Sequence, residues 1–197
     1  MQRPLAAASL AKATRRLFVS GCIALSIVAA STACNPTFNW REFRSPDGFA
    51  VMLPGRPQTV TREVKLPDTT VQMSMTSTGI GATLFAVGAA QLPAGLSAEP
   101  EARQRTIAHM RDALVRNVGG SIVKTSAAAL PVPTGDSRKV LATEAVEASG
   151  QESGRAVQLT ARLFIVGDRL FQVVALGAKG EMSPDALDTF FTSFRLI

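Results

Sequence analysis

The stretch that decides the fold is residues 155–176, RAVQLTARLFIVGDRLFQVVAL. Its two apolar runs flank Gly167-Asp168, a two-residue connection typical of a tight β-hairpin. A third run of strand-like sequence, residues 138–148, precedes them and is separated by a loop at residues 149–154. The pattern predicts a three-stranded antiparallel meander, with strands at residues 138–148, 155–166 and 169–176.

Two helices are predicted around this meander. Residues 98–117 have helical periodicity, and their apolar stripe continues to a stop at Gly119-Gly120. Ser183 is placed to cap a second, C-terminal helix, with Pro184 at its first position. The stripe of the first helix is Ile107, Met110, Leu114 and Val118, and that of the second is Leu187, Phe190, Phe191 and Phe194.

The chain before the first helix alternates apolar and polar residues at the period of a β-strand. Residues 49–53 are the clearest case, since Phe49, Val51 and Leu53 point to one side. Residues 60–66 and 71–76 predict a hairpin with one solvated face. Residues 83–90 are continuously apolar and predict a strand covered on both faces. Further strands are predicted at residues 38–44 and 121–130.

The predicted order is therefore strands, helix, strands and helix. It contains no recurring strand–helix–strand unit, which argues against a doubly wound parallel sheet. We expect a single α+β domain over residues 38–197, with a mostly antiparallel sheet flanked by helices.

Residues 1–33 have the composition of a secretory signal peptide. Four basic residues and no acidic one precede an uncharged, mostly apolar run at residues 17–30. That run of about 14 residues is shorter than the ~20 needed to span a bilayer as a helix. The alternative is a membrane anchor that is never cleaved.

Two cysteines compete as the site of lipid attachment. Cys22 follows Val19-Ser20-Gly21, which resembles the lipobox of bacterial lipoproteins in its letters but leaves almost no apolar segment before it. Cys34 follows Ser31-Thr32-Ala33 at the end of the apolar run, which is the position that export requires. We therefore interpret Cys34 as the lipidated first residue of the mature chain, with residues 34–37 as a tether. Cleavage without lipidation is the alternative.

The resemblance to lipoproteins implies an exported protein, held by acyl chains in a membrane that faces the periplasm. Asn35 stands where such proteins carry an aspartate if they stay in the inner membrane, which favours the outer membrane. Arg15-Arg16 resembles a twin-arginine export motif, and ordinary signal-peptide charge explains the same pair. The export route stays open.

Composition and charge exclude several classes of protein. The chain is 46% hydrophobic and 18% charged, which is globular and not disordered. Its 21 basic and 15 acidic residues become 17 against 15 without the four basic residues of the signal, a net charge of +2. Because these charges are scattered, no nucleic-acid partner is expected. With Cys22 removed and Cys34 at the terminus, no structural disulfide is expected.

No pattern of catalytic residues is apparent. His109 is the one histidine, and we expect it on the solvated side of its helix. The alternative is a general base that Asp112 orients, three residues further along the helix. Asp185 and Asp188 suit the first turns of the last helix, where carboxylates complement the helix dipole. Glu144 and Glu147 fall on opposite faces of a strand. We therefore expect no enzyme.

No cofactor or metal site is expected either. Gly79 and Gly81 lack the third glycine and the helix of a dinucleotide-binding motif. Met73 and Met75 could be soft metal ligands, but we expect them to pack on the strand face that they share with Val71.

Two segments resemble exported bacterial proteins of unknown function that carry a PsbP-like domain. The first runs from Trp40 to Pro57, with the turn Ser45-Pro46-Asp47-Gly48, and the second comprises residues 169–173 and 190–194. Together they cover about 30 residues, and the resemblance implies the fold of an α/β sandwich. It implies no catalytic residues. Trp40 itself is expected in the core.

These observations favour a membrane-tethered cell-envelope lipoprotein that acts without catalysis, as an accessory or assembly factor in contact with an envelope protein. The alternative is a periplasmic protein that binds a small apolar ligand in a cavity between sheet and helix. An exposed apolar patch without a deep cavity would favour the first function, and an apolar cavity would favour the second.

Overall fold

The computed structural model describes residues 38–197. The predicted signal peptide, the tether at residues 34–37 and both cysteines lie outside these residues. The described part is α+β, with two antiparallel sheets and three helices, which confirms the predicted fold class.

A seven-stranded antiparallel sheet forms the centre of the domain, in the order β3-β4-β5-β9-β8-β7-β6. Neighbours in sequence are neighbours in the sheet except at the β5–β9 pair, which joins the two halves of the chain. The strands are β3 (Gln58–Lys65), β4 (Thr70–Ile80), β5 (Thr83–Gln91), β6 (Ser121–Ser126), β7 (Val140–Glu152), β8 (Arg155–Val166) and β9 (Arg169–Ala178).

One face of this sheet is covered by a smaller sheet and the last helix. The smaller sheet has the order β1-β2-β10, formed by β1 (Arg41–Ser45), β2 (Phe49–Leu53) and β10 (Arg195–Leu196), and the helix is α3 (Pro184–Ser193). Aromatic side chains fill the space between the layers, with ring centroids 5–6 Å apart. We call this cluster the phenylalanine core; it includes Phe49, Phe85, Phe164, Phe171, Phe190 and Phe194.

The opposite face of the large sheet carries the helices α1 (Ala94–Ala98) and α2 (Pro100–Asn117). The longer helix packs across β7, β8 and β6. Its Ile107 and Met110 are buried in a second apolar cluster, together with Leu163 and Leu170 of the sheet. The domain therefore has three layers, with the large sheet in the middle.

Most sequence predictions of element type are confirmed. The meander is present as β7, β8 and β9, and Gly167 closes its second hairpin with φ +57°. The Ser183 hydroxyl accepts a hydrogen bond from the Ala186 amide and caps α3, as predicted. Residues 85–90 of β5 are buried as predicted, whereas Leu84, at the start of the same predicted strand, is 40% exposed.

Several boundaries differ from the prediction. The long helix starts at Pro100, and residues 94–98 form the separate helix α1. Strand β6 ends at Ser126 instead of continuing to residue 130. Strand β7 continues through residues 149–152 of the predicted loop, which leaves a two-residue turn at Ser153 and Gly154. The predicted half-buried face of residues 60–66 is wrong in part, since Val60 is 48% exposed. The physical reason is that β3 is an edge strand, which has a neighbouring strand on one side only.

Candidate functional site

The helical layer is too narrow to cover the large sheet. Seven strands about 4.8 Å apart span roughly 29 Å, whereas a helix with its side chains is about 10–12 Å wide. Because α2 lies over β7 and β8, it leaves most of β3 and parts of β4 and β5 uncovered on this face, whereas Val71 and Met73 of β4 are buried in the second apolar cluster. The result is a cleft of about 340 Å³ between α2 and the β3 side of the sheet.

The floor of the cleft is a row of residues in register across four strands. Val60 pairs with Met75, Met75 with Gly88, and Gly88 with Gln172. Paired residues of an antiparallel sheet point to the same face. The row therefore presents a valine, a methionine, a bare stretch of backbone and an amide beneath the helix.

The wall of the cleft is one stripe of α2. Met110, Ala113, Leu114 and Asn117 follow the spacing i, i+3, i+4, i+7 that aligns side chains on a helix. Across from them, Met73 and Leu84 complete an apolar lining, and Leu84 is 40% exposed. The cleft is therefore apolar inside and open to solvent.

Gly88 is needed at the floor because two side chains cross its backbone. A Cβ at this position would lie 2.7 Å from Gln172 Cγ and 2.7 Å from Met75 Sδ. Real Cβ atoms do not approach other atoms so closely, so any other residue would push both side chains out of place. The glycine thus gives the amide and the thioether their positions.

Gln172 is the polar group at the bottom of the cleft. The residue is 5% exposed, and its Nε2 donates a hydrogen bond of 3.2 Å to Met75 Sδ, a weak acceptor. Its Oε1 is buried and has no hydrogen-bond partner. Among the described residues it is the one buried side-chain oxygen or nitrogen in this condition.

Charged side chains surround the mouth. Arg62 lies between Val60 and Val64 on β3, and Lys65 ends the same strand. Glu63 also contributes to the lining, so the strand contributes two basic groups and one acidic group. The mouth therefore has a modest positive charge above an apolar interior.

His109 links the helix to the edge hairpin. Its Nε2 lies 3.0 Å from the Lys65 carbonyl oxygen, which accepts the hydrogen bond. The side chain is half-buried and borders the open cleft, so it contacts the edge hairpin as well as solvent. Asp112 does not orient it, because its carboxylate accepts a hydrogen bond of 2.9 Å from Arg111 Nε. The two residues do not form an acid–base pair.

An ion pair fixes α2 on the sheet beside the cleft. Arg111 Nη1 donates to Glu144 Oε1 of β7 at 3.0 Å, and the Glu144 side chain is 16% exposed. Hydrogen bonds to Asp112 and then to Glu144 raise the pKa of Arg111 above its usual value. Glu147 lies on the other face of β7, as the spacing predicted, and borders a different hollow.

The other residues that the sequence analysis named pack against neighbouring side chains or lie at a helix terminus. Met73 is buried as predicted, whereas Met75 is only partly buried and contacts Gln172. Trp40 packs against the phenylalanine core, stacked on Phe38 at 5.7 Å. Asp185 lies in the first turn of α3.

A second hollow lies on the opposite face of the sheet, near β6 and α3. Its volume is about 270 Å³, and Lys124, Glu147 and Arg162 border it. The Arg162 guanidinium donates to the Phe191 carbonyl at 3.1 Å and lies 4.8 Å from that residue's ring centroid. Burial lowers the pKa of Arg162. Its charge is thus held by a carbonyl and an aromatic face, a structural role.

Residues 38–197 present neither a cluster of metal ligands nor a helix suited to span a membrane. No group of three or more His, Cys, Asp or Glu side chains is arranged to hold a metal ion there. No helix in the same part of the chain combines the length and apolarity needed to cross a membrane.

Sequence reasoning missed Gln172 and Gly88, which define the floor of the cleft. The signal was present, since Gln172 interrupts an otherwise apolar central strand, Leu170-Phe171-Gln172-Val173. A polar residue at such a position requires a partner or a function. Gly88 likewise interrupts the apolar run of β5, which indicates a close approach to the backbone.

Comparison with known proteins adds little to this geometry. No protein-family model and no curated protein matches the chain. Among solved structures, the chain is similar to PA94 from Pseudomonas aeruginosa, a protein of unknown function. The two share 13% identity at a TM-score of 0.37, over 72% of this chain and 85% of that one. A likeness at this level carries no argument about function, and the PsbP-like resemblance stays a prediction.

Proposed function

We propose that this protein is a non-catalytic binding protein of the cell envelope, which holds a small apolar ligand in the cleft between α2 and the sheet. The observation that carries the proposal is the cleft itself. Its volume of about 340 Å³ falls within the ~300–1,000 Å³ of small-molecule sites. Apolar walls with a single buried polar group are typical of such sites.

The energetics favour an occupant. Val60 and Leu84 expose apolar surface at the cleft, and burial of apolar surface contributes roughly 25 cal/mol per Å². The cleft also needs no rearrangement of the backbone, because α2 is anchored by Arg111 and Glu144 on its far side. A preformed site loses less entropy on binding than a site that must be ordered.

The side chains around the cleft support binding rather than catalysis. The His109 imidazole is engaged with the Lys65 carbonyl, and the Asp112 carboxylate is engaged with Arg111. General acid–base catalysis requires a positioned pair within reach of the substrate, and these two groups are turned to other partners.

The proposal includes lipidation of Cys34, which rests on the sequence of residues 1–34. A lipid at this residue and a tether of residues 34–37 would hold the domain at a membrane. Tethering raises the local concentration of the domain near partners and ligands in that membrane. An apolar ligand that partitions into lipid would be accessible to a protein held at its surface.

A second candidate function is contact with another envelope protein, as an accessory or assembly factor. The observation that favours it is the free edge of β6, where Val123 is 66% exposed and Ile122 is also exposed. The register shift between Ile122 and Lys124 twists this edge, and such bulges blunt strand pairing. The cleft is therefore the better supported of the two sites.

Filling the cleft tests the proposal. Ala113→Trp places an indole against the floor, whereas Ala108→Trp puts the same side chain at a half-buried position of α2 outside the cleft lining. The full chain in lipid nanodiscs is heated with and without 1-methoxynaphthalene, an apolar probe. Ligand at 100 times its Kd stabilises the native state by about 2.7 kcal/mol, so the Tm of the wild type and of Ala108→Trp should rise by several degrees.

We expect Ala113→Trp to lose this rise in Tm while it still unfolds cooperatively. An equal rise in both variants would place the probe elsewhere and contradict the proposal. The absence of any rise in the wild type at saturating probe would contradict it as well.

A further inference from the structure

We infer that the natural ligand is an apolar molecule that carries a hydroxyl group, and that this hydroxyl pairs with the side-chain amide of Gln172. The inference rests on the proposed function and specifies the chemistry of the ligand. It starts from the one buried side-chain oxygen in the described residues that has no hydrogen-bond partner, Gln172 Oε1.

Packing does not explain a glutamine at this position. Its neighbours on the same face of β9 are Leu170 and Val174, and its partner across β8 is Leu163. A buried amide oxygen without a partner loses its hydrogen bonds to water and gains none in return, which destabilises the folded state. An apolar residue of similar size would avoid this loss. The position therefore sacrifices stability, as binding sites do.

The backbone beside Gln172 accommodates its side chain. Gly88 leaves the space in which its Cγ and Nε2 lie, and a Cβ there would meet them at 2.7 and 2.9 Å. The two residues are paired on adjacent strands, Gly88 on β5 and Gln172 on β9. The backbone at Gly88 thus leaves room for the Gln172 side chain at the floor of an apolar cleft.

A hydroxyl matches the unmet capacity of this amide. Oε1 requires a donor, and Nε2 uses a thioether, which is a weak acceptor. A hydroxyl group can donate to the first atom or accept from the second. The terminal torsion of glutamine is broad, so the amide can turn toward a ligand at little cost. The Met75 contact is weak enough to be exchanged for a ligand oxygen.

The charge at the mouth does not require a charged ligand. Arg62 and Lys65 are offset in part by Glu63, and all three lie on the edge strand rather than at the floor. Gln172 is the part of the floor that is shielded from water, since it is only 5% exposed. We therefore expect the protein to distinguish ligands by the ligand group that contacts Gln172.

A matched pair of probes tests the inference on the full chain in nanodiscs. 1-Naphthol and 1-methoxynaphthalene have the same ring system, and only the first can donate a hydrogen bond. Their Kd values are measured by equilibrium dialysis at pH 7, with uptake by empty nanodiscs subtracted. An apolar cleft alone would favour the ether, because the hydroxyl is better solvated by water. We expect the wild type to bind the naphthol roughly tenfold more tightly.

The variant Gln172→Met removes the amide and keeps the length of the side chain. We expect its naphthol preference to fall to about onefold, with ether binding within roughly twofold of the wild type. Gln158→Met changes a half-buried glutamine of β8 that does not line the cleft, and it should keep the preference. A preference that survives in Gln172→Met would overturn the inference.

The outcomes separate the two proposals. Ether binding without a naphthol preference in the wild type would overturn the inference and leave the apolar cleft in place as a site. Failure of both probes to bind would contradict the proposed function itself. Since the wild-type comparison needs no variant, it decides the matter even if Gln172→Met does not fold.

Discussion

Gly150→Ala is expected to destabilise the domain by about 3 kcal/mol, the upper end of the cost of overpacking. A Cβ at Gly150 would overlap the Val118 carbonyl oxygen, which is backbone and cannot move like a flexible side chain. The same carbonyl accepts a hydrogen bond of 2.8 Å from the Gln151 amide, so displacing it breaks a second interaction. The Cα of Gly120, in the turn between α2 and β6, would lie 3.1 Å from the added Cβ.

The effect should appear as a fall in Tm of roughly 10 °C, measured by circular dichroism. Gly95→Ala is the matched control, because its Cβ would meet no atom within 4 Å. Gly95 lies in α1, where alanine is the better helix former, so this variant should be neutral or stabilised by about 0.5–1 kcal/mol. A Gly150→Ala protein within about 1 kcal/mol of the wild type would show that the backbone contact can relax.

This contact also matters for the cleft. Gly119 and Gly120 end α2, and the Gly120 amide donates to the Val115 carbonyl at 3.0 Å. The close approach of Gly120 and Gly150 therefore fixes the C-terminal end of the helix on β7. Since Asn117 and Leu114 of that end line the cleft, a displaced helix end should weaken probe binding as well as stability.

Cys34→Ala is expected to abolish incorporation of labelled fatty acid into the protein in growing cells. The thiol of this residue is the attachment atom in the proposed lipoprotein, and no other side chain can replace it. Cys22→Ala is the matched control and should keep the label, because Cys22 would be removed with the signal. Acyl chains contribute about 0.8 kcal/mol per buried CH₂, so their loss should be evident in membrane association too.

Two results would contradict this assignment. Label that persists in Cys34→Ala would show that lipid is attached elsewhere. Loss of label in Cys22→Ala, with label kept in Cys34→Ala, would show that the first cysteine is the acceptor. An unlabelled wild type would indicate cleavage without lipidation.

The elements that the sequence predicted best are those with local signals. The turn at Gly167 and the apolar runs on either side determine the β8–β9 hairpin, and the serine–proline start determines α3. The fold class followed from their order along the chain. These features depend on residues close in sequence, which is why periodicity and turn chemistry detect them.

The cleft depends on features that no local pattern reveals. Its floor joins β3, β4, β5 and β9, and the β5–β9 pairing brings together residues about eighty positions apart. Its opening arises because one helix covers only part of a seven-stranded sheet. The number of strands and the position of α2 are tertiary properties, so the exposure of Val60 and the role of His109 could not be predicted. Gln172 alone could have been noticed, as a polar residue inside an apolar strand.

The measurement that tests the central claim most directly is a methyl NMR spectrum of the full chain in nanodiscs, with ¹³C in its methionine methyl groups. Met73, Met75 and Met110 line the cleft, whereas Met52 and Met182 lie outside it and serve as internal references. On titration with 1-methoxynaphthalene, we expect the three cleft methyl signals to shift and saturate together while the two reference signals stay fixed. Shifts confined to Met52 and Met182, or no shift in the cleft methyl groups at saturating probe, would contradict the account.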